Sequence, residues 1–238
     1  MTEPIRNRLL AALSHTGRNA LMSQAEIIDL PVRTTLVEPN VPTTHVFFLE
    51  SGLASVVATS RDGAEQIEVG HLGLEGLSGL HLLLGTDRTP NHTFMQVAGS
   101  GLRVPSEHLL ELLSADEKIR IHFLRFVQSY QIQLAHSALA NGRYTIPQRL
   151  ARWLLMCHDR LRTDDMRLTH EFLALMLGVR RSGVTNEIHI LEGEHAIRAN
   201  RASIRVLDRQ KLIDIADGCY GVPEEEYARL IEGHMADA

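Results

Sequence analysis

The chain has 238 residues, of which 44% are hydrophobic and 22% are charged, and its net charge is −5. That length is enough for two modest domains, each with its own core. No apolar run approaches the roughly 20 residues that span a membrane, and the N-terminus lacks the apolar centre of a secretory signal. The composition therefore predicts a soluble cytoplasmic protein that makes no membrane contact.

Charge is distributed unevenly along the chain. Residues 1–140 carry a net charge of −4, residues 141–211 of +5 and residues 212–238 of −6. In the middle segment, 12 of the 13 cations are arginines, a side chain that binds phosphates and guanine edges through paired hydrogen bonds. The excess of arginine favours a phosphate-binding surface over the alternative of an ordinary solvated face.

The N-terminal part is rich in short β-type runs. HVFFLESG (45–52), LASVVATS (53–60) and EQIEVG (65–70) are separated by turn residues, and Asp62-Gly63 predicts a tight hairpin. Glycines stand where strands must turn corners: Gly52, Gly70, Gly73, Gly76, Gly79 and Gly85. Antiparallel strands at this spacing predict a barrel or roll, which we assign with an N-terminal helix to residues 1–107.

A long helical segment, assigned to residues 108–141, follows the predicted roll. Ser106 is expected to cap a first helix, and Asp116 to open a longer one that reaches about Ala140, with Gly142 closing it. One stripe along this helix follows a 4-3-4-4-3 spacing: Ile119, Phe123, Phe126, Tyr130, Leu134 and Ser137. A second stripe consists of Leu124, Val127, Gln131 and Ala138. We expect the first stripe to form a homodimer contact, the alternative being a helix buried in one monomeric core.

The stretch LTHEFLALMLGVRRSGVTNEIHIL (168–191) predicts two short helices joined at Gly178, the first capped by Thr169. At 100° per residue, the second helix has an apolar face of Val184, Ile188 and Leu191. Its opposite face is uncharged and rich in hydrogen-bonding groups: Ser182, Thr185, Asn186 and His189. This pattern favours a helix-turn-helix whose second helix enters the major groove of DNA, over an ordinary helical hairpin.

The order of these parts resembles the Crp/Fnr superfamily of bacterial transcription regulators. TIPQRLARWLLMCHDRL (145–161) resembles the helix that leads into the family's DNA-binding domain, and AIRANRASIRVLDRQKL (196–212) resembles its wing hairpin and closing helix, capped by Asp208. The resemblance implies an α+β fold with an N-terminal antiparallel β-roll, a long dimerisation helix and a C-terminal winged helix-turn-helix in residues 142–238. It also implies a homodimer that binds double-stranded DNA at a two-fold symmetric site and contacts RNA polymerase.

The resemblance places base-reading residues at Arg181, Ser182 and Asn186, where the family commonly has Arg, Glu and Arg. Since only the first is kept, we expect an operator that differs from the usual family sequence. The remaining residues of the predicted DNA-binding set are Arg180, Thr185, His189, Thr169, Arg198 and Arg201.

The region that holds the effector in cyclic-nucleotide-binding relatives departs from their pattern. Leu74-Glu75-Gly76 has Glu and Gly in the wrong order, and Arg88-Thr89-Pro90 is only a partial match to the phosphate-holding element. We therefore expect an effector that is not a cyclic nucleotide, or none, and an unidentified small molecule stays open. A ligand-binding signalling module whose helix-turn-helix contacts protein is the alternative function.

No cofactor, metal or catalytic motif is predicted. The two cysteines, Cys157 and Cys219, are too few for an iron-sulfur cluster and are expected to be packing residues. The histidines that a haem would require lack the spacing of a ligand pair: His71, His81, His92 and His108. The absence of a Walker loop, a nucleophile elbow and a two-His zinc helix predicts that the protein is not an enzyme.

Overall fold

The computed structural model describes residues 5–200 and 202–233. Two short helices precede seven strands: α1 (Arg8–Ala11), α2 (His15–Met22), β1 (Glu26–Leu30), β2 (Thr35–Val37), β3 (His45–Leu49), β4 (Leu53–Thr59), β5 (Gln66–Leu72), β6 (His92–Val97) and β7 (Gly99–Pro105). The helix α3 (Leu80–Leu83) lies between β5 and β6. All strand pairs are antiparallel, in sheets of order β1-β7-β3 and β2-β6-β4-β5, which confirms the predicted roll.

The hairpin predicted at Asp62-Gly63 joins β4 to β5. The amide of Ser60 donates to the carbonyl of Glu65 at 2.9 Å, so the turn itself contains four residues. Gly63 has φ 73°, a left-handed conformation that glycine adopts without strain. Asp62 accepts hydrogen bonds from the Ser60 hydroxyl and the Ala64 amide, which stabilise the turn.

Two helices follow the roll, α4 (Ser106–Ala115) and α5 (Glu117–Arg143). Ser106 is the first helical residue of α4 and does not cap it, since Pro105 holds the N-cap position. Asp116 caps α5 as expected, with its carboxylate accepting from the amides of Lys118 and Ile119 at 2.8 and 3.2 Å. The helix α5 continues through Gly142, which was expected to close it.

The C-terminal part is a winged helix-turn-helix. Its elements are α6 (Ile146–Leu161), β8 (Asp165–Met166), α7 (His170–Leu177), α8 (Arg181–Gly193), β9 (Ile197–Asn200), β10 (Ser203–Val206) and α9 (Arg209–Ala216). The strands form a small antiparallel sheet of order β8-β10-β9, with the wing hairpin between β9 and β10. Asp208 caps α9 as predicted, because its side chain accepts from the amide of Lys211.

The chain then returns to its N-terminal half. The helix α10 (Val222–Tyr227) and a π-helical turn (Ala228–Glu232) pack on α5, and Tyr227 and Ile231 are buried in the N-terminal core. Arg8 lies 2.6 Å from Glu232 and its guanidinium covers the ring of Tyr227. Residues 222–232, which the sequence analysis places in the C-terminal domain, thus contribute to the N-terminal core.

The stripe that was expected to form the dimer contact packs inside its own chain instead. Ile119, Phe123, Phe126 and Tyr130 are buried in the N-terminal core, and Leu134 packs partly against it. The last residue of the stripe, Ser137, donates to the carbonyl of Gln133 and accepts from Arg152. Ile119, Phe123, Phe126 and Tyr130 are enclosed by their own chain, so these four side chains are not free for the expected dimer contact. The spacing identified a buried face correctly, but it cannot distinguish a partner chain from the protein's own sheet.

Two glycines allow α5 to approach the roll closely. A Cβ at Gly70 would lie 2.6 Å from the hydroxyl of Tyr130, and one at Gly76 would lie 2.5 Å from the ring of Phe126. Both distances are too short for a non-bonded contact. Any residue larger than glycine at these positions would therefore displace the aromatic side chains of α5. Within the described residues, no helix is long and apolar enough to cross a membrane.

Candidate nucleic-acid interface

The turn between α7 and α8 is stabilised from both sides. Thr169 accepts a hydrogen bond from the amide of Phe172 at 3.3 Å, which caps α7 as predicted. Gly178 has φ 63° and ends α7 in the left-handed conformation. Arg149 of α6 donates to the carbonyl of Leu177, one of the groups that the end of a helix leaves without an internal partner. These contacts set the angle at which α8 leaves the turn.

The two faces of α8 agree with the sequence-based prediction. Val184, Ile188 and Leu191 are buried in the C-terminal core. On the opposite face, Asn186 and His189 are exposed. Thr185 is half-buried, and its hydroxyl lies 3.5 Å from Nδ1 of His170. The helix therefore presents uncharged hydrogen-bonding groups to solvent along the side that would face a groove.

The wing is joined to α8 by Glu192, a residue that the sequence analysis missed. Its Oε1 accepts from the amide of Ala199 on β9 at 2.8 Å, and its Oε2 lies 3.3 Å from Nδ1 of His189. Arg198 is exposed on the same strand. A charged residue near the end of an amphipathic helix is too common a pattern to have indicated this contact. Arg149 was missed for the same reason.

The predicted cations at the interface are only partly described. Arg180 is exposed and occupies the N-cap of α8 without a capping hydrogen bond, and it forms no ion pair with a described residue. Arg201 and the side chains of Arg181 and Ser182 lie outside the described part of the chain. Their assignment to DNA contacts stays a prediction.

Glu75 and Arg88, the residues of the roll considered for nucleotide binding, both have partners within the chain. Glu75 is buried, with its Oε1 accepting from Nε of Arg160 at 2.6 Å and its Oε2 accepting from the amide of Gly73 at 3.1 Å. A Cβ at Gly73 would lie 2.7 Å from Cβ of Arg160, so only glycine admits this pairing. Arg88 is exposed and bonded to Asp87 at 2.9 and 3.0 Å. Glu75 is thus held in a buried ion pair, whereas the pair of Arg88 with Asp87 is exposed.

The histidines considered for haem have other partners. His81 lies 3.0 Å from the hydroxyl of Thr43, His92 3.1 Å from that of Thr35, and His108 3.0 Å from the carbonyl of Ala20. His71 is buried beside Glu68, and burial together with the charge of Arg160 lowers its pKa. Within residues 5–200 and 202–233, no group of His, Cys, Asp and Glu is arranged to hold a metal ion.

Both cysteines are buried, as predicted for packing residues. Burial raises the pKa of the Cys157 thiol well above its ordinary value, which keeps it protonated. Burial raises the pKa of Cys219 as well, although Arg152 and Arg149 oppose the effect.

The winged helix-turn-helix packs directly on the roll. Trp153 of α6 donates its indole N–H to Oε1 of Glu68 on β5 at 2.8 Å, and both residues are buried. The ring of Phe172 on α7 lies 6.4 Å from that of Phe94 on β6. The first helix of the helix-turn-helix therefore rests against the sheet, while the polar face of α8 stays open.

Residues 148–215 match a Crp-like helix-turn-helix domain. No curated protein matches the chain in sequence. Among solved structures, the c-di-GMP responsive global regulator CLP from Xanthomonas campestris is similar at 16% identity and a TM-score of 0.66, over 81% of this chain and 99% of that one. FixK2 from Bradyrhizobium japonicum is similar at 15% identity and a TM-score of 0.67, over 80% and 96%.

A CRP-family transcriptional regulator from Thermus thermophilus is similar at 19% identity and a TM-score of 0.64, over 80% of this chain and 96% of that one. Each of these likenesses covers at least 80% of this chain, and they agree with the resemblance seen in the sequence. The chain therefore has the fold of the Crp/Fnr transcription regulators and carries a Crp-like helix-turn-helix domain.

Proposed function

We propose that this protein is a sequence-specific DNA-binding transcription regulator that acts as a homodimer on a two-fold symmetric site. The observation that carries the proposal is the exposed, uncharged polar face of α8, held at a fixed angle by the capped turn before it. A second helix of this kind inserts its N-terminal residues into the major groove.

The roles within the interface follow from the chemistry of each side chain. Arg181 would bind guanine O6 and N7 through two hydrogen bonds, and Asn186 would pair with adenine. Ser182 would be compatible with several bases. Phosphate contacts would come from residues at the edges of the helix and on the wing: Arg180, Thr185, Thr169, His189, Arg198 and Arg201. His189 would be positioned by Glu192, which also fixes the distance from α8 to the wing.

Dimerisation would use the outward side of α5, since its inward side is covered by the roll. Residues at successive spacings of 7, 4, 3 and 4 along that side are exposed or half-buried: Ile121, Gln128, Ile132, Ala135 and Leu139. Ile121 and Leu139 are 39% and 46% exposed and lie on the same side of the helix. A second copy of α5 would cover them in the manner of a coiled coil.

The regulator would not respond to a cyclic nucleotide, because Glu75 and Arg88 are committed to other residues. RNA polymerase in the cytoplasm is the proposed partner for transcription control. If the protein does not bind DNA, the alternative function is a signalling module whose helix-turn-helix contacts protein.

The proposal is tested by selecting bound sequences from a random DNA pool and then titrating salt. We expect a two-fold symmetric motif. Arg181→Ala should cost roughly 1 to 3 kcal/mol per half-site and relax the preference at one symmetric pair of positions. Arg198→Ala should weaken all sequences similarly and make the salt dependence shallower by about one counterion per contact.

Arg120→Ala serves as the control, since it removes the same charge from an exposed position at the start of α5. It should leave both affinity and salt slope unchanged. If Arg181→Ala loses the same affinity for operator DNA as for scrambled DNA, Arg181 contacts phosphate and does not read a base. If the unaltered protein binds no DNA at low salt, the proposed function is wrong.

A further inference from the structure

A cluster of buried polar side chains lies where the roll, α5 and α6 meet. At its centre is Glu68 of β5, whose Oε1 accepts from the indole N–H of Trp153 at 2.8 Å and lies 3.2 Å from Nδ1 of His71. Its Oε2 accepts from the hydroxyl of Ser55 on β4. Of these residues only Trp153 belongs to the wing domain. One oxygen of Glu68 therefore serves both the histidine and the bond between the two domains.

His71 is held in this cluster through its backbone and its ring. It is 2% exposed. Its amide donates to Oε1 of Gln133 on α5, and its carbonyl accepts from Nε2 of Gln133, both at 3.4 Å. Its ring lies edge-on to that of Trp153, with the ring centres 6.2 Å apart. The imidazole is thus enclosed by the same elements that join the wing domain to the roll.

The contacts of Glu68 determine which nitrogen of the neutral His71 carries the proton. Because Glu68 accepts from Trp153 and Ser55, it is the acceptor toward Nδ1 as well, so Nδ1 carries the proton and Nε2 the lone pair. Nε2 is buried and has no partner among the described residues. A second proton would go to this nitrogen, where it would find no acceptor.

Charged groups approach the imidazole from the roll and from α6. Glu68 and Glu75 of the roll favour the charged ring, whereas burial and the charge of Arg160 on α6 oppose it and prevail, so the pKa of His71 is lowered. The facing strand β4 carries no charged residue. The other titratable groups near the cluster are Arg149, Arg152 and Cys157 on α6 and Tyr130 on α5. Burial raises the pKa of the thiol and of the phenol, so both stay neutral.

We propose that His71 controls the contact between the wing domain and the roll in response to pH, and that protonation of its Nε2 opens this contact. The charged ring would require water. The cavity beside it has a volume of about 30 Å³, which is enough for one or two water molecules. To hydrate the charge further, α6 would have to move away from β5, which breaks the bond between Trp153 and Glu68.

The contact should open on the acid side of neutrality. The closed form binds this proton less readily than an open form, in which a hydrated imidazole titrates near its ordinary value of about 6.5. The contact is therefore fully stable above that value and loses stability as the pH falls below it. Because one proton is involved, the ratio of open to closed molecules should rise by up to about tenfold for each pH unit. An effect on operator affinity rests on the proposed function, whereas the opening does not.

The experiment follows the emission wavelength of Trp153 and its quenching by acrylamide in the full-length protein without DNA, from about pH 7.5 to about pH 5.5, the range in which histidine titrates. Acidification should shift the emission to longer wavelength and ease the quenching, while circular dichroism stays constant. His71→Asn, whose amide N–H replaces that of Nδ1 but takes up no proton, should remove this dependence. The control His81→Asn removes another histidine of lowered pKa, which lies on α3 beside Thr43, and should keep it.

The titration of His71 is measured independently by nuclear magnetic resonance of the unaltered protein. Its ring signal should titrate below about pH 6.5, with the same midpoint as the emission shift of Trp153. A midpoint at or above that value, or emission that stays constant while His71 titrates, would overturn the proposal. A shift that persists in His71→Asn, or one accompanied by loss of circular dichroism, would do the same. Opening in a protein that binds no DNA would keep this inference and overturn only the proposed function.

Discussion

At the scale of single residues, Arg160 and Glu75 form a buried ion pair between the wing domain and the roll. Both side chains are 9% exposed, and the Glu75 carboxylate also accepts from the amide of Gly73. Burial alone would lower the pKa of Arg160, but the charges of Glu75, Glu224 and Asp159 together outweigh burial and raise the pKa. The pair joins α6 to the turn after β5 and so connects the wing domain to the roll.

We expect Glu75→Ala to lower the free energy of unfolding by about 3 to 5 kcal/mol, since it leaves the buried Arg160 without a counter-charge. Denaturant unfolding followed by circular dichroism measures the change. The control is Asp165→Ala, which breaks the exposed pair with Arg205 and should have little effect because water screens it. Equal losses in the two variants would mean that the buried pair contributes nothing specific.

At the scale of elements, α5 has two sides with different partners. Its inward side is covered by the roll, where the ring of Phe123 packs edge-on against Phe48 at 6.0 Å. Its outward side keeps large aliphatic groups in solvent, among them Leu139. A helix of 27 residues with this division would be stabilised by a second copy of itself.

The double change Ile132→Asp with Leu139→Asp should therefore give a folded monomer. Two like charges on each helix would face those of the partner helix across a dry interface, while the roll core is untouched. Light scattering at about 10 µM measures the mass, since dimer populations depend on concentration. Phe123→Asp is the contrasting variant and should unfold the N-terminal half, because it buries a charge without a partner. A double variant that stays dimeric would place the dimer contact elsewhere.

At the scale of the whole molecule, two hydrophobic cores are joined by buried polar contacts and by the returning C-terminal segment. The N-terminal core contains Tyr227 and Ile231 from the end of the chain, and the C-terminal core contains Leu53 of the roll. Between them, Trp153 donates to Glu68 at 2.8 Å. Apolar packing and directional bonds thus both hold the domains together.

Glu68→Ala should weaken the contact between the two domains, and the fluorescence of Trp153 should detect the change. Trp153 is the chain's one tryptophan, so its fluorescence reflects the domain interface alone. Loss of the carboxylate leaves the buried indole N–H without an acceptor, and water that enters to satisfy it should shift the emission to longer wavelength. The control Glu65→Ala removes an exposed carboxylate from the same hairpin and should leave the emission unchanged. An unshifted spectrum in Glu68→Ala would mean that other contacts hold the interface closed.

Local patterns predicted much of this molecule, since their causes lie within a few residues. Alternating runs identified β3, β4 and β5, and helical spacing identified the buried face of α8. Side chains that accept from amides within the next three residues identified the caps at Asp116, Thr169 and Asp208. Ser106 was misassigned because a serine after a proline fits either the cap or the first helical position.

What the sequence by itself determined about this protein is therefore the kind of each element, its apolar face and the chemistry offered by α8, because periodicity and capping act over one or two turns of chain. Only the tertiary structure decided which stripe of α5 meets the roll, that Glu75 pairs with Arg160, and that Trp153 reaches Glu68. Glu75 and Arg160 lie 85 positions apart in the chain. Contacts at such separations are set by how whole elements pack, and they leave no periodic pattern in the sequence.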